Sequence, residues 1–314
     1  MARGAPREYP ALGNPGLQAA RSGLDSSIVP ELPEVETVTR IVRPKLVGRT
    51  IEDVHVSWPR TLGGRSPAAF RRAVVGARVR AVWRRAKYLV FDLERGGELA
   101  GWIVGHLRMT GRIHVEPRGY DAGPYERLRL ELDRGKDFHF IDTRKFGRLV
   151  FTTDLEDVLP PLGPEPLGDE FTVRGLHAEA SRRRRLLKPL LLDQSFVAGL
   201  GNIYVDECLH LARLHPERRS DRLDRAGAER LHDAIRRTLA AAIEREGSSF
   251  DSFYRTPEGN PGSYQHQFRV YGRTGLPCPE CGEPIRRIVV AGRGTHLCPR
   301  CQGRRSPRRR VVGS

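Results

Sequence analysis

The sequence predicts an α+β protein of several domains: a β-rich N-terminal domain, a helical domain and a small C-terminal metal module. Three observations predict it. Short apolar segments separated by turn residues fill residues 50–151, helical apolar spacing dominates residues 173–246, and two CxxC pairs lie near the end of the chain. At 314 residues, the chain has room for about two domains of ordinary size and the module.

The charge of the chain favours a polyanionic partner. The 54 Lys and Arg residues exceed the 38 Asp and Glu residues, which gives a net charge of +16, and nucleic acid is the usual partner of such a surplus. A coding bias toward arginine explains arginine in place of lysine, but it does not explain the excess over acids. No run approaches the ~18 apolar residues of a membrane-spanning helix. Five cysteines are too few for a disulfide scaffold, so we expect a protein of the reducing cytoplasm with no membrane partner.

The N-terminal domain is assigned to residues 30–158. Val35, Val38 and Val42 recur at helical spacing, and Pro44 is expected to end that helix. So many short strands with turn signals between them are typical of a β-sandwich or a barrel. The eight segments with strand character are Thr50–Val56, Ala77–Val82, Lys87–Leu93, Glu98–Leu107, Ile113–Val115, Leu128–Leu132, Phe138–Ile141 and Arg148–Phe151.

A Pro- and Gly-rich stretch at 159–172 is expected to link this domain to a helical domain at 173–267. A third unit at 268–306 surrounds the paired cysteines, and a disordered basic tail is expected at 307–314. The arginine run 182–185 has no assigned role beyond a solvated helix face. The helices of the second domain are expected at Val173–Ala180, Lys188–Asp193, Ile203–Ala212 and Asp224–Glu246.

The four paired cysteines have the spacing of a metal site. Cys278, Cys281, Cys298 and Cys301 form a C-x2-C-x16-C-x2-C pattern, and four thiolates make a closed tetrahedral zinc site. Such a site stabilises the fold and leaves no open position for catalysis, so we expect one structural Zn²⁺. The residues between the pairs predict a hairpin with Arg293 at its tip, either as a DNA contact or as a solvated charge.

Two further motifs are less specific by themselves. Glu31 and Glu34 lie three residues apart beside a proline at a helix entry, where the helix dipole alone favours acidic residues. The glycines before Asn202 would leave backbone N–H groups free to hold a phosphate, although most such turns are ordinary helix connections.

Together, these motifs resemble the formamidopyrimidine-DNA glycosylase family, bacterial enzymes that excise oxidised purines. The resemblance implies an N-terminal β-sandwich flanked by helices, a helix–two-turns–helix domain and a zinc ribbon, with double-stranded DNA containing damaged bases bound in the cleft between domains. The matching motifs occur in the family's order from residue 30 to about 304: PELPEVETV at 30–38, RRAKYL at 84–89, HLRMTG at 106–111, DTRKFG at 142–147, LGPEPL at 162–167, GLGNIYVDE at 199–207, VYGRTG at 270–275 and the cysteine pairs.

The resemblance also implies catalytic residues. In this family the N-terminal proline of the mature chain is the nucleophile, and it corresponds to Pro30. A free α-amine has a reference pKa of ~7.7–8.0, so a larger fraction is neutral at pH 7 than for lysine. By the same resemblance, Glu31 handles the proton at the deoxyribose ring oxygen, and Glu34 orients or deprotonates the amine. Lys87 corresponds to a lysine that contacts phosphate near the lesion and assists the chemistry.

Other residues correspond to the family's DNA contacts. Met109, Arg144 and Phe146 match the residues that fill the void left by the extruded nucleotide, and this set favours the purine-repair branch over the related pyrimidine-repair endonucleases. Thr110 stands where some relatives have Glu, which leaves base contacts open there, and residues 248–267 correspond to the lesion-capping loop. The phosphate contacts implied by the resemblance are His106, Asn202, Tyr271, Arg287 (lysine in some members) and Arg293.

The first 29 residues depart most from the family pattern. They show no periodicity and no secretory apolar region, and they make the Pro30 nitrogen an amide without a nucleophilic lone pair. We interpret them as an artefact of start-site choice, because Val29 directly precedes Pro30 and GTG, a valine codon, is a common bacterial start. Proteolytic maturation is one alternative, and a DNA-binding protein without lyase activity is another.

The sequence therefore predicts a bifunctional DNA glycosylase and abasic-site lyase acting on 8-oxoguanine and formamidopyrimidines, monomeric and associated with the bacterial nucleoid in the cytoplasm. Two other interpretations stay open: an oxidised-pyrimidine glycosylase of the same fold, and a zinc-ribbon protein that binds damage without cutting.

Overall fold

The computed structural model describes residues 29–249 and 254–303. The predicted N-terminal extension up to residue 28, residues 250–253 of the predicted capping loop and the tail from residue 304 lie outside the described residues. Helix α1 spans Leu32–Leu46. The expectation that Pro44 ends this helix is wrong by two residues, because the last turn continues past it and the N–H of Val47 still donates to the Arg43 carbonyl at 2.9 Å.

The N-terminal domain is a β-sandwich of eight strands: β1 (Ile51–Val56), β2 (Arg78–Arg85), β3 (Tyr88–Arg95), β4 (Glu98–His106), β5 (Gly111–Pro117), β6 (Glu126–Leu132), β7 (Lys136–Asp142) and β8 (Arg148–Thr152). Strands β2, β3, β4 and β8 form one antiparallel sheet, and β1, β6, β7 and β5 form the other, in those orders. The inward side chains of both sheets share one apolar core, in which Phe91 packs edge-to-face on Phe138 with ring centres 5.9 Å apart.

A short helix, α2 (Pro67–Val74), has no counterpart in the sequence prediction. The Ser66 hydroxyl caps it by accepting from the Ala69 N–H at 3.2 Å, and a proline occupies its first position. The Ser-Pro pair at 66–67 was therefore the available signal for this helix.

The helical domain contains α3 (Val173–Arg183), α4 (Leu187–Leu191), α5 (Asn202–Leu211) and α6 (Arg225–Glu244). Helix α5 is buried from Ile203 to His210 and packs against α6. Leu32, at the start of α1, belongs to this second core rather than to the sandwich core, so the two domains share apolar packing where α1 begins.

The C-terminal unit is a ribbon of two antiparallel strands, β9 (Arg286–Val290) and β10 (Arg293–Leu297). Its two-residue turn, Ala291 and Gly292, has φ values of 48° and 77°, as a tight hairpin turn requires. Arg293 pairs with Val290 as the first residue of β10, one position beyond the tip where it was expected. The predicted combination of sandwich, helical domain and ribbon is thus confirmed, and no helix within the described ranges is long and apolar enough to span a membrane.

Candidate active site

A cavity of about 300 Å³ lies where the three units meet. The N-terminal domain contributes Glu31, Lys87 and His106, the start of α5 contributes Asn202, and the ribbon hairpin contributes Arg293. Residues from motifs that are far apart in the sequence therefore face one another across a single space.

Glu31 is buried, and its carboxylate faces the start of α5. Its Oε1 accepts from the Ile203 N–H at 2.8 Å and its Oε2 from the Gly201 N–H at 2.6 Å. Burial raises the pKa of Glu31 to about 7, although the positive charge of Lys87 and these two hydrogen bonds oppose the shift. A carboxyl group that titrates near neutrality is suited to proton transfer.

These contacts correct the expectation about the glycine turn before Asn202. The N–H groups expected to hold a phosphate are occupied by the carboxylate of Glu31. A Cβ at Gly201 would lie 2.4 Å from Cδ of Glu31, and a Cβ at Gly199, where φ is +87°, would lie 2.5 Å from Leu32. The two glycines therefore allow α1 to approach α5 closely.

Glu34 is also buried, and both of its carboxylate oxygens are engaged. Oε2 accepts from the Glu31 N–H at 2.9 Å, and Oε1 accepts from the Tyr204 hydroxyl at 2.6 Å and the Ser248 N–H at 2.8 Å. Burial raises the pKa of Glu34 above its ordinary value. These bonds join α1, α5 and the base of the predicted capping loop, so they fix the backbone next to Pro30.

Pro30 is buried and lines a small crevice together with Glu34 and Met109. Val29 lines this crevice and also the main cavity. The residue that precedes Pro30 in the chain therefore borders both spaces.

Lys87 follows a left-handed residue, Ala86, with φ of 51°. Glu165 of the interdomain linker holds this turn: its carboxylate accepts from the Ala86 N–H at 2.6 Å, from Arg84 at 2.8 Å and from Arg85 at 2.9 Å. Burial lowers the pKa of Lys87, and the negative charge of Glu31 opposes this shift. Sequence reasoning assigned no role to Glu165, although it lies within the LGPEPL motif.

The imidazole of His106 is held in one tautomer. Its Nδ1 accepts from the Arg108 N–H at 2.9 Å, which leaves the proton on Nε2. Burial, together with the charges of Arg108 and Lys87, lowers the pKa of His106 to about 3. His106 is therefore a neutral hydrogen-bond donor at physiological pH, a form suited to a phosphate oxygen.

Met109 and Phe146 project from neighbouring turns and line a common depression. Phe146 is 48 % exposed, and the Arg144 guanidinium lies 5.2 Å from the centre of its ring. The preceding residue, Lys145, is left-handed with φ of 64°, a conformation that is costly outside functional or tightly restrained sites. The geometry presents an aromatic ring and a cation side by side at the surface.

Asp142 shapes this turn and was missed by sequence reasoning. It is buried and accepts from the Gly147 N–H at 2.7 Å, the Arg144 N–H at 3.2 Å and the Thr110 hydroxyl. Thr110 is thus buried in the junction of the two turns, with its hydroxyl bonded to Asp142. The aspartate at the head of the DTRKFG motif was the available signal, because aspartate commonly bonds to backbone N–H groups in turns.

A buried charge pair supports Arg293. The Nζ of Lys188 lies 2.6 Å from the Asp206 carboxylate and donates to the Gly294 carbonyl at 2.9 Å. The Asn202 side chain donates to the same carbonyl at 3.2 Å. Asn202, expected as a phosphate contact, therefore also ties α5 to the ribbon hairpin.

The last two predicted phosphate contacts differ in their placement. Tyr271 is buried and lines the main cavity, with its ring 4.9 Å from that of His296. Arg287 is exposed on β9, and its guanidinium lies against the backbone of Gly294, where a Cβ would come within 2.9 Å of it. Arg287 therefore lies on the ribbon beside the cavity and not in its lining.

The four ribbon cysteines converge as a zinc site requires. Their sulfur atoms approach one another pairwise at 3.4, 3.5 and 3.9 Å. A tetrahedron with zinc–sulfur bonds of ~2.3 Å has edges of roughly 3.8 Å, so the residues fit one Zn²⁺, and the predicted structural zinc site is confirmed. Nε2 of His210, on α5, lies 3.3 Å from the sulfur of Cys278, which links the helical domain to this site.

Fold and site together define a zinc-ribbon enzyme whose titratable groups face a cleft between a β-sandwich and a helical domain. The chain belongs to the formamidopyrimidine-DNA glycosylase family. Residues 29–149 match the Formamidopyrimidine-DNA glycosylase N-terminal domain, residues 162–253 the Formamidopyrimidine-DNA glycosylase H2TH domain, and residues 275–303 the Zinc finger found in FPG and IleRS.

Curated relatives and solved structures agree with this assignment. A formamidopyrimidine-DNA glycosylase of Thermus thermophilus is 46% identical over 283 residues, which cover 88% of this chain and 99% of that protein. A crystal structure of the MutM (Fpg) protein from Thermus thermophilus superposes with a TM-score of 0.78 at 45% identity, covering 87% of this chain and 99% of that one. The wild-type Lactococcus lactis Fpg (MutM), in complex with DNA containing N7-benzyl-Fapy-dG, superposes with a TM-score of 0.79 at 35% identity, covering 88% and 100%.

Proposed function

We propose that this protein is a bifunctional DNA glycosylase and abasic-site lyase that removes 8-oxoguanine and formamidopyrimidines from double-stranded DNA. The observation that carries the proposal is that Glu31 and Lys87 line the cavity while Pro30, next to Glu31 in the chain, lines a small crevice that shares Val29 with it, in a chain of the formamidopyrimidine-DNA glycosylase family. The net charge of +16 suits a polyanionic duplex.

The first step is attack by the Pro30 amine on C1′ of the damaged nucleotide. The N–C1′ bond forms as the bond between C1′ and the base breaks, and the base leaves with the proton that the amine loses. Opening of the deoxyribose ring then gives an iminium ion, for which Glu31 supplies a proton to the ring oxygen. Its pKa of about 7 supports this assignment, because an acid transfers protons most effectively when its pKa lies near the working pH.

The iminium ion then makes strand cleavage possible. It withdraws electrons from the sugar, so loss of a C2′ proton breaks the C–O bond on the 3′ side, and a second elimination breaks the C–O bond on the 5′ side. Lys87 holds a phosphate next to the reacting sugar during these steps. Its charge near Glu31 also favours the ionised form of that carboxyl group after it has given up its proton.

The target nucleotide must leave the base stack before it reacts, and the gap must be filled. We assign this role to Met109, Arg144 and Phe146, supported by the exposed Phe146 ring and the cation beside it. His106, Asn202, Tyr271, Arg287 and Arg293 bind backbone phosphates.

Catalysis requires a free amine at Pro30, and we propose that the active chain begins there. The position of Val29 within the crevice and the cavity supports this, since an added segment would meet the substrate. The structural Zn²⁺ holds the ribbon that carries Arg293. We further propose that the enzyme acts as a monomer in the cytoplasm.

Borohydride trapping on an 8-oxoguanine duplex tests the proposal. A chain that begins at Pro30 should give a covalent adduct that maps to this residue, whereas the full 314-residue chain should bind DNA and zinc without trapping. No adduct from the shorter chain, with DNA binding intact, contradicts the enzymatic assignment. The intact mass of the native protein separately tests the proposal that the active chain begins at Pro30. A mature chain that begins at Ala2 contradicts that proposal. A panel of duplexes with oxidised pyrimidines serves as the specificity control.

A further inference from the structure

Four cationic side chains cluster on the surface of the sandwich, outside the cavity: Arg60, Arg65, Lys145 and Arg148. We call them the arginine cluster. Arg60, Arg65 and Arg148 line one depression, together with Pro59 and the glycine pair 63–64. The resemblance to the family assigns none of these four residues, and the cavity contains none of them.

The cations of the arginine cluster are held by aromatic rings and carbonyl groups, and within residues 29–249 and 254–303 no carboxylate pairs with any of them. The Trp58 ring lies 5.7 Å from the Arg60 guanidinium and 4.2 Å from the Lys145 ammonium, and Arg65 lies 5.6 Å from the Phe151 ring. Such contacts orient a cation without neutralising it. The four positive charges therefore remain available to an anion.

The floor of the depression is open backbone. Gly63 has φ of 65°, and a Cβ there would lie 2.7 Å from Val150, so glycine is needed for the turn. Gly64 has φ of 104°, and a Cβ there would meet no atom within 4 Å. A glycine in open space lets a ligand come close to the main chain, and it lies between Arg60 and Arg65.

The position of Arg148 connects this surface to the site. Arg148 lines the depression of the arginine cluster and also the one that contains Met109 and Phe146. It donates to the Phe146 carbonyl at 3.0 Å and to the Gly147 carbonyl at 2.9 Å. The arginine cluster therefore adjoins the depression of the exposed Phe146 ring, whereas Lys87, His106 and Arg293 line the separate main cavity.

We propose that the arginine cluster is a second backbone-binding site, which holds phosphates of the DNA strand opposite the lesion. The inference rests on the proposed function, because it needs a duplex with Phe146 inserted into it. If Phe146 enters the stack, the lesion strand takes the phosphate contacts of the cavity, and Arg148 with the depression it also lines is left to the opposite strand. Phosphates are the matching ligand, since arginine binds them with paired donors.

The test compares two double variants that lose the same charge. Arg60→Ala/Arg65→Ala removes half of the arginine cluster, and Arg78→Ala/Arg80→Ala is the control, on exposed positions of β2 at the opposite edge of the same sheet from β8. Binding to a duplex with an abasic-site analogue is measured from about 50 to 200 mM salt. Each phosphate contact makes the slope of log K against log salt concentration steeper by about 0.9. Loss of two contacts should therefore make the slope shallower by about 1.8 in the cluster variant, whereas the slope of the control should equal that of the wild type.

Neutral methylphosphonate linkages identify the strand. Placed opposite the lesion, they should weaken binding by the wild-type protein and have no further effect on the cluster variant; placed in the lesion strand, they should weaken both equally. The inference is overturned if the cluster variant has an unchanged salt slope. It is also overturned if the cluster variant loses its sensitivity to methylphosphonates in the lesion strand instead of those in the opposite strand. Arg60→Gln/Arg65→Gln repeats the test if the alanine variant is poorly folded. Failure of the proposed function has a different signature, because the wild-type protein would then show no preference for damaged DNA.

Discussion

Replacing Glu31 by glutamine should change how the stability of the protein depends on pH. The carboxyl group is buried, and its pKa is raised from 4.5 to about 7. A carboxyl group with a raised folded-state pKa stabilises the fold at pH values below its unfolded pKa, and this stabilisation is lost as the pH rises through the folded pKa. The shift of 7 − 4.5 = 2.5 units corresponds to roughly 3 kcal/mol at about 1.36 kcal/mol per unit, most of it lost between about pH 5 and pH 8.

Glu31→Gln removes this titration but keeps the shape of the side chain. At pH 5 the variant should be less stable than the wild type by about 1–3 kcal/mol, because an amide cannot accept from both the Gly201 and the Ile203 N–H groups. At pH 8 the wild-type carboxyl group is ionised and buried, so the difference should shrink or change sign. The free-energy difference between the two proteins should therefore shift by roughly 3 kcal/mol across this range.

Urea denaturation of both proteins at pH 5 and pH 8 measures the effect. Glu36→Gln is the matched control on the same helix. Partial burial raises the pKa of Glu36, but hydrogen bonds from Arg84 and Arg40 outweigh this effect and hold the pKa below its ordinary value. Glu36 is ionised throughout this pH range, so its substitution should have the same effect at both pH values. Equal stability differences at pH 5 and pH 8 for Glu31→Gln would refute the assignment of a near-neutral pKa to Glu31.

Four further outcomes are expected. Zinc chelation should abolish DNA binding and expose the ribbon to hydrogen exchange while the sandwich stays protected, because the apolar core of the ribbon is very small. Phe146→Ala should change the free energy of unfolding by less than ~0.5 kcal/mol, since the ring is exposed, but should slow 8-oxoguanine release at least about tenfold in single-turnover assays; normal release argues against insertion into the stack. Arg293→Ala should lower the salt slope of binding by about 1, and an unchanged slope removes it from the interface. Asp142→Ala should lower the free energy of unfolding by about 3 kcal/mol, measured by thermal denaturation, because it leaves buried hydrogen-bond donors without an acceptor. A change near zero contradicts the role of Asp142 in the turn.

Much of the fold could be predicted because it follows from local patterns. The alternation of apolar residues predicted all eight strands of the sandwich to within a few residues, and the cysteine spacing predicted the zinc site. Errors occurred where a neighbouring interaction outweighed the local rule. Pro44 lies in the last turn of α1, where little helix remains to be disrupted, and Ser66 caps a helix too short to show apolar periodicity.

The candidate site was predicted in part. Pro30, Glu31 and Lys87 could be named from the sequence because they lie in short motifs, PELPEVETV at 30–38 and RRAKYL at 84–89, which occur in the order found in the family. The residues that hold them were not predicted, because each acts across a long sequence separation. Glu165 lies 79 residues from the Ala86 N–H that it binds, and neither periodicity nor charge spacing relates two such positions.

The sequence by itself determined which groups are available: a proline followed by paired carboxylates, a lysine at the start of an apolar segment, four thiolates at metal spacing and a large excess of arginine. Only the tertiary structure decided what these groups can do. Glu31 meets the Gly201 N–H across 170 residues, and the burial that raises its pKa exists only after α1 packs against α5. The arginine cluster likewise forms only when β8 and the segment after β1 come together, because charge repulsion and desolvation depend on distances in space and not on order along the chain.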